Sequence, residues 1–430
     1  MMRAFKLFQA MKKLFTLLLC LTGYVYSQWT VSYTFTPAQS LQAIRFYDAN
    51  TGYTVAPVYG GLTYEIHKTT NAGANWVDQN AGYTGTRLMA IWILHPDTVY
   101  ISGNEGLILK TVNGGTNWVT INSEATLQLW GLQFVNSFTG YVAGSNGRIM
   151  KTTNAGANWF NQSSGTPNLL SSIHFRNDNT GYISGGSIII KTTNAGANWV
   201  SLSAPYINLE NIRDITFIDD INGIAVSDAD RVFKTTNAGA NWMIFSTGTG
   251  QSLFGVFFTD ANTGFTCGFS GAIARTSNAG VNWSVQTSPL NEILTDVWFT
   301  SVNTGYISTW SGKVLKTTNG GMVAVTPISS EVPDRFLLYQ NYPNPFNPTT
   351  KIRFEIPLSR GVDAEGRRSV SAKLIVYDIL GREVAKLVNE DLKPGVYEAE
   401  FDGSNYSSGV YHYKLTVGIF HETKKMLMIK

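Results

Sequence analysis

Short runs of alternating apolar and polar positions recur along the first three quarters of the chain. Seven times an aliphatic residue, a variable one and an anchor follow one another. They are Ile44-Arg45-Phe46, Ile91-Trp92-Ile93, Leu132-Gln133-Phe134, Ile173-His174-Phe175, Ile215-Thr216-Phe217, Val256-Phe257-Phe258 and Val297-Trp298-Phe299. Seven residues after each anchor stands a second one: Tyr53, Tyr100, Tyr141, Tyr182, Ile224, Phe265 and Tyr306. Such alternation predicts strands, and the Asn-Thr-Gly common between the anchors predicts the turn that joins them.

A third short strand is expected to end at a Lys or Arg that opens a nine-residue box. The box reads Lys-Thr-Thr-Asn-Ala-Gly-Ala-Asn-Trp at 68–76, 151–159, 191–199 and 234–242, with close variants at 110–118 and 275–283. A seventh copy, Lys316–Gly321, lacks the Trp. Asn-Ala-Gly-Ala predicts a tight turn, with the Gly accepting positive φ, and the Trp opens a fourth strand. Four strands in each repeat of roughly 40 residues is the pattern of a propeller blade.

The box cations are at 68, 110, 151, 191, 234, 275 and 316, so the period holds within a few residues. Seven boxes but six box tryptophans (Trp76, Trp118, Trp159, Trp199, Trp242, Trp283) leave one blade without its outer strand, and Trp29 supplies the missing residue. Pairing of that N-terminal strand with the last blade would close the ring and remove exposed edges. The expectation is a seven-bladed β-propeller over 28–321.

Three residues before each first anchor the side chains are small or acidic: Ala43, Ala90, Gly131, Ser172, Asp214, Gly255 and Asp296. This suits innermost strands that crowd around a tunnel. One residue before the anchor, Arg45, Trp92, Gln133, His174, Thr216, Phe257 and Trp298 share no chemistry, as expected where scaffold and binding surface are separated.

The box resembles the Asp-box of sialidase-type (BNR) repeats, with Asn in place of Asp. With its preceding Lys and the upstream Asn-Thr-Gly-Tyr it is most similar to propellers of the photosystem II assembly/stability factor type. That resemblance implies a structural box: a turn between outer strands, away from the ligand face, with its Trp packed between blades. It leaves the ligand open. Sialidase chemistry would need a recurrent arginine set and an Arg-Ile-Pro, whereas Ile44-Arg45-Phe46 lacks the Pro. Xyloglucan-degrading relatives place a cleft between two propellers.

Past 321 the period breaks. Residues 322–336 carry Pro327 and Pro333 and are expected to be a linker. Alternating runs beginning at Lys351, Ala372, Gly395, Gly409 and Glu422 predict about seven short strands and a small immunoglobulin-like β-sandwich. The chain is therefore all-β. The stretches Leu338–Pro348, Val376–Val384, Leu392–Tyr397, Ser407–Tyr411 and the late Lys424-Lys-Met resemble the C-terminal sorting domain of type IX secretion substrates, over 337–430. A charged insertion at Ser359–Val370 departs from the pattern as a long hairpin loop. The resemblance implies type IX secretion machinery as a partner, and passage across the outer membrane of a Gram-negative bacterium to a secreted or surface-anchored state.

The other end agrees with export. Met11-Lys-Lys followed by Leu14–Leu21 reads as a signal peptide over 1–27, cleaved between Ser27 and Gln28. No transmembrane segment is expected in the mature chain. The formal charge of +3 owes +4 to this leader; residues 28–330 hold 14 basic and 16 acidic side chains, which excludes a nucleic-acid trap. With Cys20 in the leader, Cys267 is the one mature thiol, and a buried one is expected.

No cofactor or metal site is expected: His67, His95 and His174 fall at three different repeat positions, and Asp228/Asp230 read as a plain turn. The candidate binding face lies opposite the box turns and carries Tyr59, Arg87, Glu105, Trp130, Tyr206, Arg213 and Trp310. The chain is read as a non-catalytic binding or adhesion scaffold for an extracellular glycan or protein. The alternative is a divergent Asp-box-class glycoside hydrolase, sialidase-like, with Asp214, Asp296 or Glu210 as its carboxylates.

Overall fold

The computed structural model describes residues 28–56, 65–79, 87–121, 123, 126–202, 210–321, 326–329, 332–357, 370–403 and 406–430. Leader residues 1–27, Tyr59 and Tyr206 lie outside the described residues. Among the described residues are nine four-stranded antiparallel sheets. Seven form the blades. Blade 1 runs Ala43–Phe46, Gly52–Ala56, Glu65–Thr69 and Val77–Asp78, and blades 2 to 6 repeat that meander. Blade 7 takes Leu294–Phe299, Gly305–Thr309 and Lys313–Thr317 from one end of the ring and Thr30–Thr34 from the other, with Thr30 opposite Lys316. Each innermost strand packs beside the next, and Leu294–Phe299 packs beside Ala43–Phe46, so the ring is closed.

One aromatic unit is repeated around the ring. The second anchor of one blade stacks on the first anchor of the next: Tyr100 on Phe134 at 4.1 Å, Tyr141 on Phe175 at 4.0 Å, Tyr182 on Phe217 at 3.6 Å, and Tyr306 on Phe46 at 4.0 Å. The box Trp then meets that Phe edge-on, as Trp199 does Phe175 at 5.9 Å. Trp29 takes the same position in blade 7, 5.9 Å from Phe299. Offset and edge-on aromatic pairs of this kind add about 0.5–1.5 kcal/mol each beyond the burial of their area.

The box itself is a turn between the third and fourth strands, as the resemblance implied. Thr152 Oγ1 accepts from Gly156 N at 2.9 Å, and Asn154 Oδ1 accepts from Asn158 N at 2.9 Å. Asn therefore does what an acid would do as acceptor, without a charge. The opening Lys reaches sideways: Lys151 Nζ and the Tyr141 hydroxyl both donate to Ala195 O in the next blade, at 2.8 and 2.9 Å. Lys110 with Tyr100, Lys191 with Tyr182, and Lys316 with Tyr306 repeat this clamp on Ala155, Ala238 and Ala72.

The box Gly takes positive φ as expected, and the left-handed backbone already begins at the Ala before it: Ala155 has φ 56 and Gly156 φ 80. An L-residue there costs roughly 1–2 kcal/mol, offset by the carbonyl it aims at the neighbouring Lys and Tyr. The Gly of Asn-Thr-Gly serves close approach, not positive φ. A Cβ on Gly181 would sit 2.6 Å from the Phe175 ring, and one on Gly305 2.4 Å from Phe299.

The last two sheets form the tail. One orders Thr326–Ser329, Gly395–Asp402, Thr349–Ile356 and Leu337–Leu338; the other orders Glu383–Leu392, Val370–Tyr377, Gly409–Val417 and Phe420–Met428. Residues 326–329, within the stretch expected as linker, thus pair with the tail. Inward positions of both sheets (Ile352, Phe354, Leu374, Val376, Tyr413, Leu415 and Met426 among them) share one apolar core. The two Gly-Val-Tyr motifs have a physical role. Tyr397 Oη donates to Lys393 O at 2.5 Å and Tyr411 Oη to Ser407 O at 2.7 Å, each fixing the corner that leads into its strand.

Candidate functional site

The innermost strands line an axial tunnel with two mouths. On the side opposite the box turns, a cavity of about 370 Å³ is lined by the residue four before each anchor: Gln42, Met89, Trp130, Ser171, Arg213, Phe254 and Thr295. In five blades that residue is a β-bulge, where the strand pairing skips it: Met89, Trp130, Arg213, Phe254 and Thr295. A bulge breaks the period of two and re-aims a side chain. Here it turns these residues into the mouth. Arg87 and Trp310 complete the wall, with Trp310 38% exposed.

Four sequence-predicted binding residues, Arg87, Trp130, Arg213 and Trp310, therefore meet at one mouth. Arg213 is held by a two-pronged contact to Asp228, Nε–Oδ1 at 3.0 Å and Nη2–Oδ2 at 3.2 Å, and its guanidinium lies 5.2 Å from the Phe254 ring centre. Trp130 Nε1 donates to Gln128 Oε1 at 3.2 Å. Glu105 sits in a strand-joining turn at φ 55 and is not among the mouth-lining residues. Met89 and Phe254 escaped the sequence reading, because an apolar residue out of step with its strand looks like scatter.

The opposite mouth, about 480 Å³, is lined by all seven residues that directly precede the anchors. Two, Gln133 and Arg45, are already engaged with a neighbouring blade. Gln133 Oε1 accepts from Phe175 N at 2.7 Å, and the Arg45 guanidinium lies 4.8 Å from the Trp298 ring centre while pairing with Asp296. Burial pushes the His174 imidazole down to about 4, so it is neutral at pH 7.

Asp214 and Asp296 both line the tunnel waist, shared by the two cavities. Neither is a solvated carboxylate. Asp214 accepts from Ser172 Oγ at 2.6 Å, from Ile215 N at 2.8 Å and from Val256 N at 2.9 Å, which ties blades 4, 5 and 6 together. Asp296 is buried, accepts from Val297 N at 2.9 Å and Ile44 N at 3.0 Å, and pairs with Arg45, which joins blade 7 to blade 1. Burial holds both carboxyls above the ordinary 3.8, against the hydrogen bonds and Arg45 that lower them. Glu210 does not join them; it is buried beside Arg231, 3.1 Å away, and lines neither cavity.

Asp230 likewise is a structural residue, accepting from Ser246 Oγ at 2.6 Å, Thr249 Oγ1 at 2.9 Å and Gly248 N at 3.0 Å. Cys267 is buried and not in a disulfide. Among the described residues no cluster of His, Cys, Asp and Glu has the arrangement of a metal site.

Geometry and sequence together define a seven-bladed propeller, its boxes similar to BNR repeats, followed by a β-rich tail. Residues 120–249 match the family model of the photosynthesis system II assembly factor YCF48, and residues 340–430 match the secretion system C-terminal sorting domain. None of the curated proteins matches the chain. Among solved structures it resembles YCF48 bound to D1 peptide, at 16% identity over 68% of this chain and 98% of that one, with a TM-score of 0.58. It also resembles PorZ, an essential surface component of the type IX secretion system of Porphyromonas gingivalis. That match has 12% identity over 90% of this chain and 59% of PorZ, with a TM-score of 0.53. The GH74 xyloglucanase of Xanthomonas campestris gives 12% identity over 76% and 59%, with a TM-score of 0.56. At these identities the likeness is one of fold. The sorting domain marks the chain for secretion or attachment at the outer surface and for contact with the secretion machinery. No helix among the described residues is long and apolar enough to cross a membrane.

Proposed function

We propose that the propeller is a non-catalytic binding or adhesion scaffold that takes an extracellular glycan or protein at the bulge-lined mouth. Its signal peptide would be cut before Gln28, its propeller would span 28–321, and the sorting domain at 337–430 would deliver it, with residues 326–329 of the intervening 322–336 paired to that domain. One observation carries the reading: Trp130, Arg213, Phe254 and Trp310, from blades 3, 5, 6 and 7, converge on a single cavity with aromatic and guanidinium groups facing it. Such groups are enriched at interaction hot spots. The hydrolase alternative has less support, since both tunnel carboxylates spend their lone pairs on backbone N–H groups of neighbouring blades.

The test is to screen the secreted chain, and its Trp130→Ala and Trp310→Ala variants, on arrays of glycans and extracellular proteins. Retention of a ligand by the wild type and its loss in both variants is expected. Turnover of a bound glycan that Asp214→Asn or Asp296→Asn abolishes would instead make the protein a hydrolase.

A further inference from the structure

We infer that the hairpin tip at Asp378–Arg382 is the part of the sorting domain that the export machinery grips, through an apolar pocket on the receptor. The tip joins Val370–Tyr377 to Glu383–Leu392 and exposes Ile379 and Leu380 at 73% each. Other exposed apolar side chains of the tail, Tyr342 and Ile419 among them, are not adjacent to one another in sequence. Outward strand positions of the sandwich carry paired charges, such as Lys351 with Glu398 at 2.9 Å and Lys424 with Glu422 at 3.1 Å. What sets the tip apart is that two neighbouring aliphatic side chains are exposed together on one tight turn, whereas apolar residues scattered singly are ordinary on a surface.

The tip is also held rigid. Asp378 Oδ1 accepts from Leu380 N and Arg382 N, both at 2.9 Å, and Oδ2 accepts from Arg382 Nε at 2.6 Å. Asp378 O accepts from Gly381 N at 3.0 Å, with Gly381 at φ 77. One carboxylate thus fixes the loop before any partner arrives, which lowers the ordering cost of docking. More apolar surface lies at the same end of the sheet. Tyr377 pairs with His412 and Gly409 with Met428, so the half-exposed Leu427 and Ile429 stand two strands away, roughly 10 Å at the usual strand spacing. Ile419, fully exposed, caps the opposite end and serves as an internal control.

The inference rests on the sorting domain being the export signal, and the experiment separates the two. The full chain is expressed in a type IX-competent bacterium as wild type, Ile379→Ser/Leu380→Ser, Asp378→Ala, Ile419→Ser and a form lacking 337–430. Surface plus medium is compared with periplasm for each, and purified chains are melted to confirm folding. The double variant should remain folded and lose surface delivery about tenfold or more, the effect of removing an apolar hot spot. Asp378→Ala should lose less, and Ile419→Ser nothing. Wild-type export of a folded double variant would overturn the inference, as would an equal loss in Ile419→Ser. Normal export together with loss of a dimer in sedimentation would also overturn it, by assigning the tip to a second copy of the chain. If the double variant fails to fold, Asp378→Ala decides: unchanged export of that folded variant overturns the inference. Export of the form lacking 337–430 would reject the sorting role itself.

Discussion

The blade joints and the bulge-lined mouth are both set at fixed distances from the same anchor, yet they use sequence in opposite ways. At the joints the same side chains return in most blades, and each satisfies another: Tyr stacks on Phe, Phe meets Trp, and Lys and Tyr share a carbonyl. At the mouth the position is as regular, four residues before the anchor, but Gln42, Met89, Trp130, Ser171, Arg213, Phe254 and Thr295 have nothing in common. Repetition marks what the ring needs from itself. Variation at a geometrically fixed position marks what is left for something outside it.

That contrast can be broken most forcefully at a joint. Trp199→Ala empties a buried site between blades and should cost about 3–5 kcal/mol in urea unfolding. A loss below 1 kcal/mol would show that the box Trp does not hold the blades. Lys151→Met removes a charged donor from Ala195 O and should cost about 1.5–3 kcal/mol, while Tyr141→Phe, losing a neutral one, should cost about 1 kcal/mol. Ala155→Gly should run the other way, gaining about 1 kcal/mol as left-handed strain is relieved, against the larger freedom of Gly when unfolded.

A pH series sharpens the role of the tunnel carboxylates. Both have folded values raised above 3.8, so the folded state holds their protons more tightly than the unfolded one. Their contribution is greatest below 3.8 and is lost as pH rises through the raised folded value. The melting temperature should therefore carry a downward component as pH climbs from about 4, and Asp214→Asn should flatten it. An unchanged slope in that variant would mean that burial does not govern the group.

How much of this was legible without coordinates follows from the same contrast. The seven blades and the box as an outer turn are written in residues that repeat, because every copy meets the same partners. The bulges are not, since a period-two reading treats Met89 and Phe254 as interruptions of a strand. Two other features were hidden because one residue type answers several demands. Gly181 reads as a turn residue but is there to clear the Phe175 ring, and Asp296 reads as a tunnel acid but closes the ring through Ile44 N and Arg45.

The most direct test pairs two substitutions and two readouts. Trp199→Ala and Trp130→Ala are each measured for unfolding free energy and for retention on the glycan and protein arrays. The account predicts that Trp199→Ala costs several kcal/mol yet keeps the wild-type ligand while folded. Trp130→Ala should change stability by less than about 1 kcal/mol and lose that ligand. Equal retention by Trp130→Ala and the wild type would contradict the assignment of the mouth as the binding site.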